Sequence, residues 1–176
     1  MDRIRFSGTG GQGVLLAGII TAHAFILDNK FACQTAAYGS QVRGMITTVD
    51  VIADDSFIDF PGFDEPDALV AFSQKGYDAY IQGTSEKSKV FYDSTLVRPE
   101  EIAKSAHYSI AAQRIALEKF KDDMIANMIM LGFLWKNINF VPQEPLIKAV
   151  QKNVGAKYAA SNIDALKYGM EWNGPR

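Results

Sequence analysis

The stretch Ile4-Arg5-Phe6-Ser7-Gly8-Thr9-Gly10-Gly11-Gln12-Gly13-Val14-Leu15-Leu16-Ala17 decides how this chain is read. Ile4, Arg5 and Phe6 start a short strand. Gly8, Gly10 and Gly13 then fit a GxGxxG spacing, and Val14 to Leu27 is predicted to be helical, with small residues Ala17, Gly18, Ala22 and Ala24 allowing close approach to a sheet. Strand, tight turn and long helix in that order open a layered α/β protein. Glycines in such a turn permit positive φ, close backbone approach and free N–H groups at a helix N-terminus, which suits a phosphate or carboxylate. Three uses of the turn stand side by side: a self-sufficient dinucleotide site, a turn shaped only for helix packing, and a rest for an anion or a partner's cofactor. The first lacks the acidic residue usual at the end of the second strand. The candidate strand reads Phe31-Ala32-Cys33-Gln34-Thr35, and Asp28 precedes it. No Gly-Lys-Ser/Thr follows, so the turn is not a Walker A loop.

Outward from the turn, Phe31 to Ala37 and Ile46 to Ala53 read as the second and third strands. Asp54-Asp55 and Phe60-Pro61-Gly62 mark turns. Ala68 to Phe72 and Val90 to Tyr92 are short apolar runs suited to interior strands, with a helix from Gln74 to Ile81 between them. Helices are predicted over Ala111 to Phe120, Met124 to Trp135, a segment opened by Pro142 whose stripe is Leu146, Ile147, Val150 and Val154, and Lys157 to Tyr168. Met124 to Trp135 has almost no polar face, so it belongs in the middle of the domain or under a partner subunit. The expectation is one α/β domain over residues 1–176, a three-layer α/β/α body on a mostly parallel or mixed central sheet.

Composition narrows the function. The 176 residues are 48% hydrophobic, and 18 basic against 20 acidic residues leave a net charge of -2, which gives no electrostatic reason to expect nucleic acid or an anionic membrane. One cysteine, Cys33, can neither close an intrachain disulfide nor hold an iron–sulfur cluster. His23 and His107 lie far apart with no ligand spacing, so no metal site is expected. The N-terminus lacks a signal-peptide h-region and Val14 to Leu27 is shorter than a bilayer span, which makes the cytoplasm the expected location.

Further segments give the turn a specific context. Gly8-Thr9-Gly10-Gly11-Gln12-Gly13 together with Tyr38-Gly39-Ser40-Gln41-Val42-Arg43-Gly44 resembles the gamma subunit of 2-oxoacid:ferredoxin oxidoreductases, a domain also fused within single-chain pyruvate:ferredoxin oxidoreductases. Ile58-Asp59-Phe60-Pro61, Pro66-Asp67-Ala68-Leu69-Val70-Ala71 and Asn127-Met128-Ile129-Met130-Leu131-Gly132 follow in the family's order. Departures are small: Met45 stands where a second glycine is usual, and Ser40-Gln41 where Pro-Glu is common. Ala71-Phe72-Ser73-Gln74-Lys75-Gly76-Tyr77 is most similar to the 2-oxoglutarate enzymes.

The resemblance implies a subunit of an enzyme that oxidatively decarboxylates a 2-oxoacid, transfers the acyl group to coenzyme A and passes electrons to ferredoxin or flavodoxin. With 2-oxoglutarate the product is succinyl-CoA; pyruvate or a branched-chain 2-oxoacid is the alternative. It further implies alpha and beta subunits, and a ferredoxin-like delta subunit, carrying thiamine diphosphate, magnesium and iron–sulfur clusters. This chain would bind no cofactor alone, have no catalytic centre of its own, and close the assembly near the arrival of coenzyme A or electrons. A homodimer of the isolated chain is expected if Met124 to Trp135 or the termini expose apolar surface.

Among single residues, Arg43 suits a bidentate contact to a carboxylate or phosphate, or a salt bridge at a subunit boundary. Tyr38 and Asn127 are the other interface candidates. Gly8, Gly10, Gly11, Gln12, Gly13 and Arg43 form the candidate anion or partner-cofactor contact, with a helix cap as the competing role for Gln12. His23 is expected to be a satisfied helix residue and Cys33 a buried small hydrophobe.

Overall fold

A computed structural model describes residues 1–38, 45–100 and 104–174. Six strands form one sheet in the order β2-β3-β1-β4-β5-β6: β1 Asp2–Thr9, β2 Phe31–Tyr38, β3 Ile46–Asp54, β4 Ala68–Ala71, β5 Lys89–Asp93 and β6 Ala106–Ile110. β1, β4, β5 and β6 run parallel, while β3 is antiparallel to both β1 and β2. The sheet is therefore mixed. The second strand does not lie beside the first, because β3 is inserted between them.

The helices are α1 Val14–Leu27, α2 Gln74–Tyr80, α3 Ala112–Ile115, α4 Ala126–Ile138, α5 Gln143–Asn153 and α6 Ala156–Glu171. α3 continues as a π-helical turn over Ala116–Phe120, ended by Lys121 at a φ of 59°. Pro142 stands just outside α5 as its N-cap. α4 starts at Ala126, two residues later than the apolar run, because Asp123–Ile125 forms a 3-10 turn, while α4 and α6 each run three residues past their expected ends at Trp135 and Tyr168.

Side-chain alternation divides the sheet into two faces. Ile4, Phe6, Val49, Val51, Val70 and Phe91 point into one cluster with α1, α4 and the inner sides of α5 and α6. Leu69, Ala71 and Val90 point the other way, beneath Tyr77 and Ile81 of α2 and its following turn. The result is a three-layer α/β/α body with unequal outer layers. Met128 to Leu131 of α4 are all 0% exposed, so this helix takes the interior place that its composition requires.

Two glycines set the α4–α6 crossing. A Cβ on Gly132 would stand 2.0 Å from the Leu166 carbonyl oxygen, and one on Gly169 would stand 2.1 Å from that of Ile129. The thin face is joined differently. Arg5 donates from Nε to Asp50 Oδ1 at 2.7 Å and from a terminal nitrogen to Oδ2 at 2.6 Å. Its guanidinium lies 4.9 Å from the Phe63 ring centroid and 4.8 Å from that of Tyr80. The sandwich pins the segment after β3 and the end of α2 to the sheet.

β6 escapes sequence reading. Its five residues, Ala-His-Tyr-Ser-Ile, lie at a sheet edge with only Ile110 buried, so no apolar run announces it. Cys33 is only partly buried, on edge strand β2, and so is not the fully buried small hydrophobe expected. His23 is satisfied as expected, with its Nδ1 2.8 Å from the Asn153 amide nitrogen. His107 is also engaged: its Nε2 lies 3.0 Å from the Tyr77 hydroxyl and its Nδ1 2.8 Å from the Ser105 carbonyl oxygen.

Candidate functional site

β1, β4 and β5 run parallel, so Thr9, Ala71 and Asp93 finish at one edge of the sheet. α1 leaves β1 across one face and α2 leaves β4 across the other. The reversal between β1 and β4 opens a crevice of the kind in which α/β proteins bind ligands.

The glycine turn forms one wall, and its glycines are not equivalent. A Cβ on Gly8 would lie 2.7 Å from the Gln12 side-chain oxygen and 2.9 Å from Phe72, and one on Gly13 would lie 2.1 Å from the Asn127 amide nitrogen. Both positions are closed by packing. Gly11 has a φ of +97° with nothing within 4 Å of its Cβ direction, so conformation alone requires glycine there and its surface is open. The Gly10 N–H points to the Met45 carbonyl at 3.4 Å, tying the turn to the start of β3.

Gln12 braces the crevice. Its Oε1 accepts from the Thr9 N–H at 2.7 Å and the Thr9 hydroxyl at 3.1 Å, while its Nε2 donates to the Phe72 carbonyl at 2.7 Å. The side chain thus joins the ends of β1 and β4, leaving one amide hydrogen for a ligand. It does not cap α1, whose N-cap is Gly13 in the left-handed region without a side-chain bond. Asn127, an interface candidate in the sequence, is 3% exposed within this chain at the start of α4. Its amide donates to the Gly13 carbonyl at 3.3 Å, and its Oδ1 has no partner among the described residues. It is a strut beneath the turn, so any effect on an interface passes through the loop it supports.

The crevice holds about 220 Å³ beside Gly11 and Gln12. Asp93 stands in it, 2% exposed, accepting from the Thr95 N–H at 2.9 Å and the Gln113 N–H at 2.8 Å. Burial pushes its carboxyl above the ordinary carboxylate pKa, and those N–H donors only partly offset the loss of water. Asp123, Gln113 and Met124 complete the far side. Among the described residues no lysine or arginine lines the crevice. The donors that the turn offers to this crevice are accordingly backbone N–H groups and the remaining Gln12 amide hydrogen. Sequence reading missed Asp93 because a lone aspartate closing a strand has no spacing signal.

Tyr38 ends β2, and Arg43 lies outside the described residues. The crevice is too small for a whole dinucleotide, and antiparallel β3 occupies the place beside β1 where an adenosine-binding second strand would stand. An iron–sulfur cluster does not fit the donor set either, since Cys33 is the sole cysteine and no group of three or more His, Cys, Asp and Glu able to hold a metal occurs among the described residues. No helix among them is long and apolar enough to cross a membrane.

These features define a class: a three-layer α/β protein whose glycine turn faces a crevice at a switch point between parallel strands. Residues 3–172 match the pyruvate ferredoxin/flavodoxin oxidoreductase family, and the chain belongs to it. It is 39% identical to the 2-oxoglutarate synthase subunit KorC of Methanocaldococcus jannaschii over 96% of this chain and 91% of that one. The keto/oxoacid ferredoxin oxidoreductase gamma subunit from Geobacter sulfurreducens superposes with a TM-score of 0.86 at 31% identity, covering 97% of each chain. The 2-oxoglutarate:ferredoxin oxidoreductase from Magnetococcus marinus, solved with 2-oxoglutarate, coenzyme A and succinyl-CoA bound, shares the fold. Its TM-score is 0.85 at 22% identity, over 96% of this chain and 30% of that one. The chain is thus a gamma-type subunit of a 2-oxoacid oxidoreductase, an enzyme component that works with other subunits.

Proposed function

We infer that the enzyme served by this subunit oxidises 2-oxoglutarate to succinyl-CoA and CO2, passing electrons to ferredoxin or flavodoxin in the cytoplasm. The observation that carries this reading is the 39% identity with a 2-oxoglutarate synthase subunit across nearly the full length of both chains. Thiamine diphosphate with magnesium, when bound by alpha and beta companions, supplies the stabilised carbanion, and iron–sulfur clusters on companion chains carry the electrons. This single domain contributes no catalytic residue and closes the assembly through the loop of Tyr38 and Arg43.

In this reading the turn Gly8, Gly10, Gly11, Gln12 and Gly13 borders the path of coenzyme A. Open Gly11 and the α1 N-terminus would meet a phosphate, with Arg43 as the charged partner. The acidic crevice behind them would accept hydrogen bonds from a neutral amide or amino group. The volume beside Gly11 admits one end of such a ligand, not all of it. The test is a coenzyme A titration of the complete enzyme carrying Gly11→Val or Arg43→Ala. A several-fold rise in the KM for coenzyme A, with the KM for 2-oxoglutarate unchanged, is expected. Unchanged coenzyme A dependence in both variants removes the turn from the path.

A further inference from the structure

We propose that the exposed edge of β2 pairs with the same edge of a second copy of this chain, joining two sheets into one continuous sheet across a two-fold axis. β2 is eight residues long and pairs along its whole length with β3 on one side. It is the last strand of the sheet, and no backbone hydrogen bond within the described residues runs from its outer side. Edge strands in monomers are normally guarded by charge, proline, a bulge or a covering segment. Phe31–Tyr38 reads FACQTAAY, without a charge or a proline, and its register with β3 advances one residue at a time with no bulge. Thr35, Ala36 and Ala37 are exposed on alternate faces and small enough to admit a neighbouring strand on either side.

The sequence of the strand favours a copy of itself as the occupant. An antiparallel register centred between Gln34 and Thr35 sets Ala32 against Ala37, Cys33 against Ala36, Gln34 against Thr35 and residue 31 against residue 38. Small residues meet small ones. Charges close to the two-fold axis would lie near their own images, and like charges that meet across a sheet destabilise it. A strand with no charge avoids that cost, whereas a strand meant for a different chain could use charge pairs. Near the beginning of β2, Phe31 is 50% exposed and in edge-to-face contact with Phe57, which is itself 72% exposed. These rings add apolar area to an edge that would otherwise supply backbone hydrogen bonds alone.

The full-length chain by sedimentation velocity is expected to be a dimer at tens of micromolar. The double variant Thr35→Lys/Ala37→Lys, which places charge on exposed positions of the edge, is expected to sediment as a monomer with an unchanged far-UV spectrum. Cys33 is the sole thiol, so a nitroxide there reports on the wild-type strand without further substitution. The stated register sets the two labelled Cα atoms about 11 Å apart, close enough for dipolar broadening that disappears on dilution with unlabelled chain. A monomeric wild-type chain, a dimer that survives both lysines, or a dimer without broadening would each overturn the proposal. A companion subunit occupying this edge would show itself as the first of these.

Discussion

The two faces of the sheet are held by different physics. On the thick face, α1 and α4 to α6 bury a continuous apolar cluster, and glycines decide how closely the layers approach. On the thin face one short helix covers Leu69, Ala71 and Val90, and the segment after β3 is fastened by Arg5, Asp50 and two aromatic rings. The first face depends on shape, so its tolerance for added atoms is low. The second depends on a few polar contacts, so its failure should be local and sensitive to charge.

Substitution can set the faces against each other. The largest effect belongs to Gly132→Ala, where the new methyl meets backbone on α6. A loss of about 3 kcal/mol or more is expected in chemical denaturation, since neither helix can yield without moving the core. Arg5→Leu should cost about 2–3 kcal/mol by leaving Asp50 without its bidentate partner. Its signature should be early hydrogen exchange between residues 55 and 67 while α4 stays protected. If exchange instead rises equally in α4, the two faces are not independent.

A smaller effect belongs to the crevice. Asp93→Asn should cost about 1–2 kcal/mol at pH 5, because an amide cannot accept from both the Thr95 and Gln113 N–H groups. Burial raises the Asp93 pKa above its ordinary value of 3.8, so the folded state holds the proton more tightly than the unfolded chain. The wild-type contribution is therefore full at low pH and declines as pH rises through the folded-state pKa. The difference between wild type and Asp93→Asn should shrink over that rise. A gap that widens with pH would contradict the direction of the shift.

The thick face was legible because burial writes itself as period. Ile20 and Phe25 of the first apolar run, Met128 to Leu131 of the nearly unbroken second, and Leu146 and Val150 of the α5 stripe all reach the interior. The thin face was not, since an Arg5–Asp50 pair bridges two strands that sequence distance does not connect, and β6 is a short edge with one buried residue. The glycine turn was found by its spacing, but its division of labour required coordinates. Gly8 and Gly13 look identical to Gly11 in sequence, yet only the neighbouring Phe72 and Asn127 make the first two packing residues. The insertion of β3 beside β1 was equally hidden, because hairpin return and crossover share the same pattern of apolar residues.

In the proposed function, thiamine diphosphate and the iron–sulfur clusters sit on companion chains. Gentle purification through a tag on this chain, followed by an assay of viologen dye reduction, tests it most directly. Companion chains bearing thiamine diphosphate and iron–sulfur clusters should copurify, and 2-oxoglutarate should reduce the dye only when coenzyme A is present. Reduction of the dye by this polypeptide freed of every companion would contradict the account.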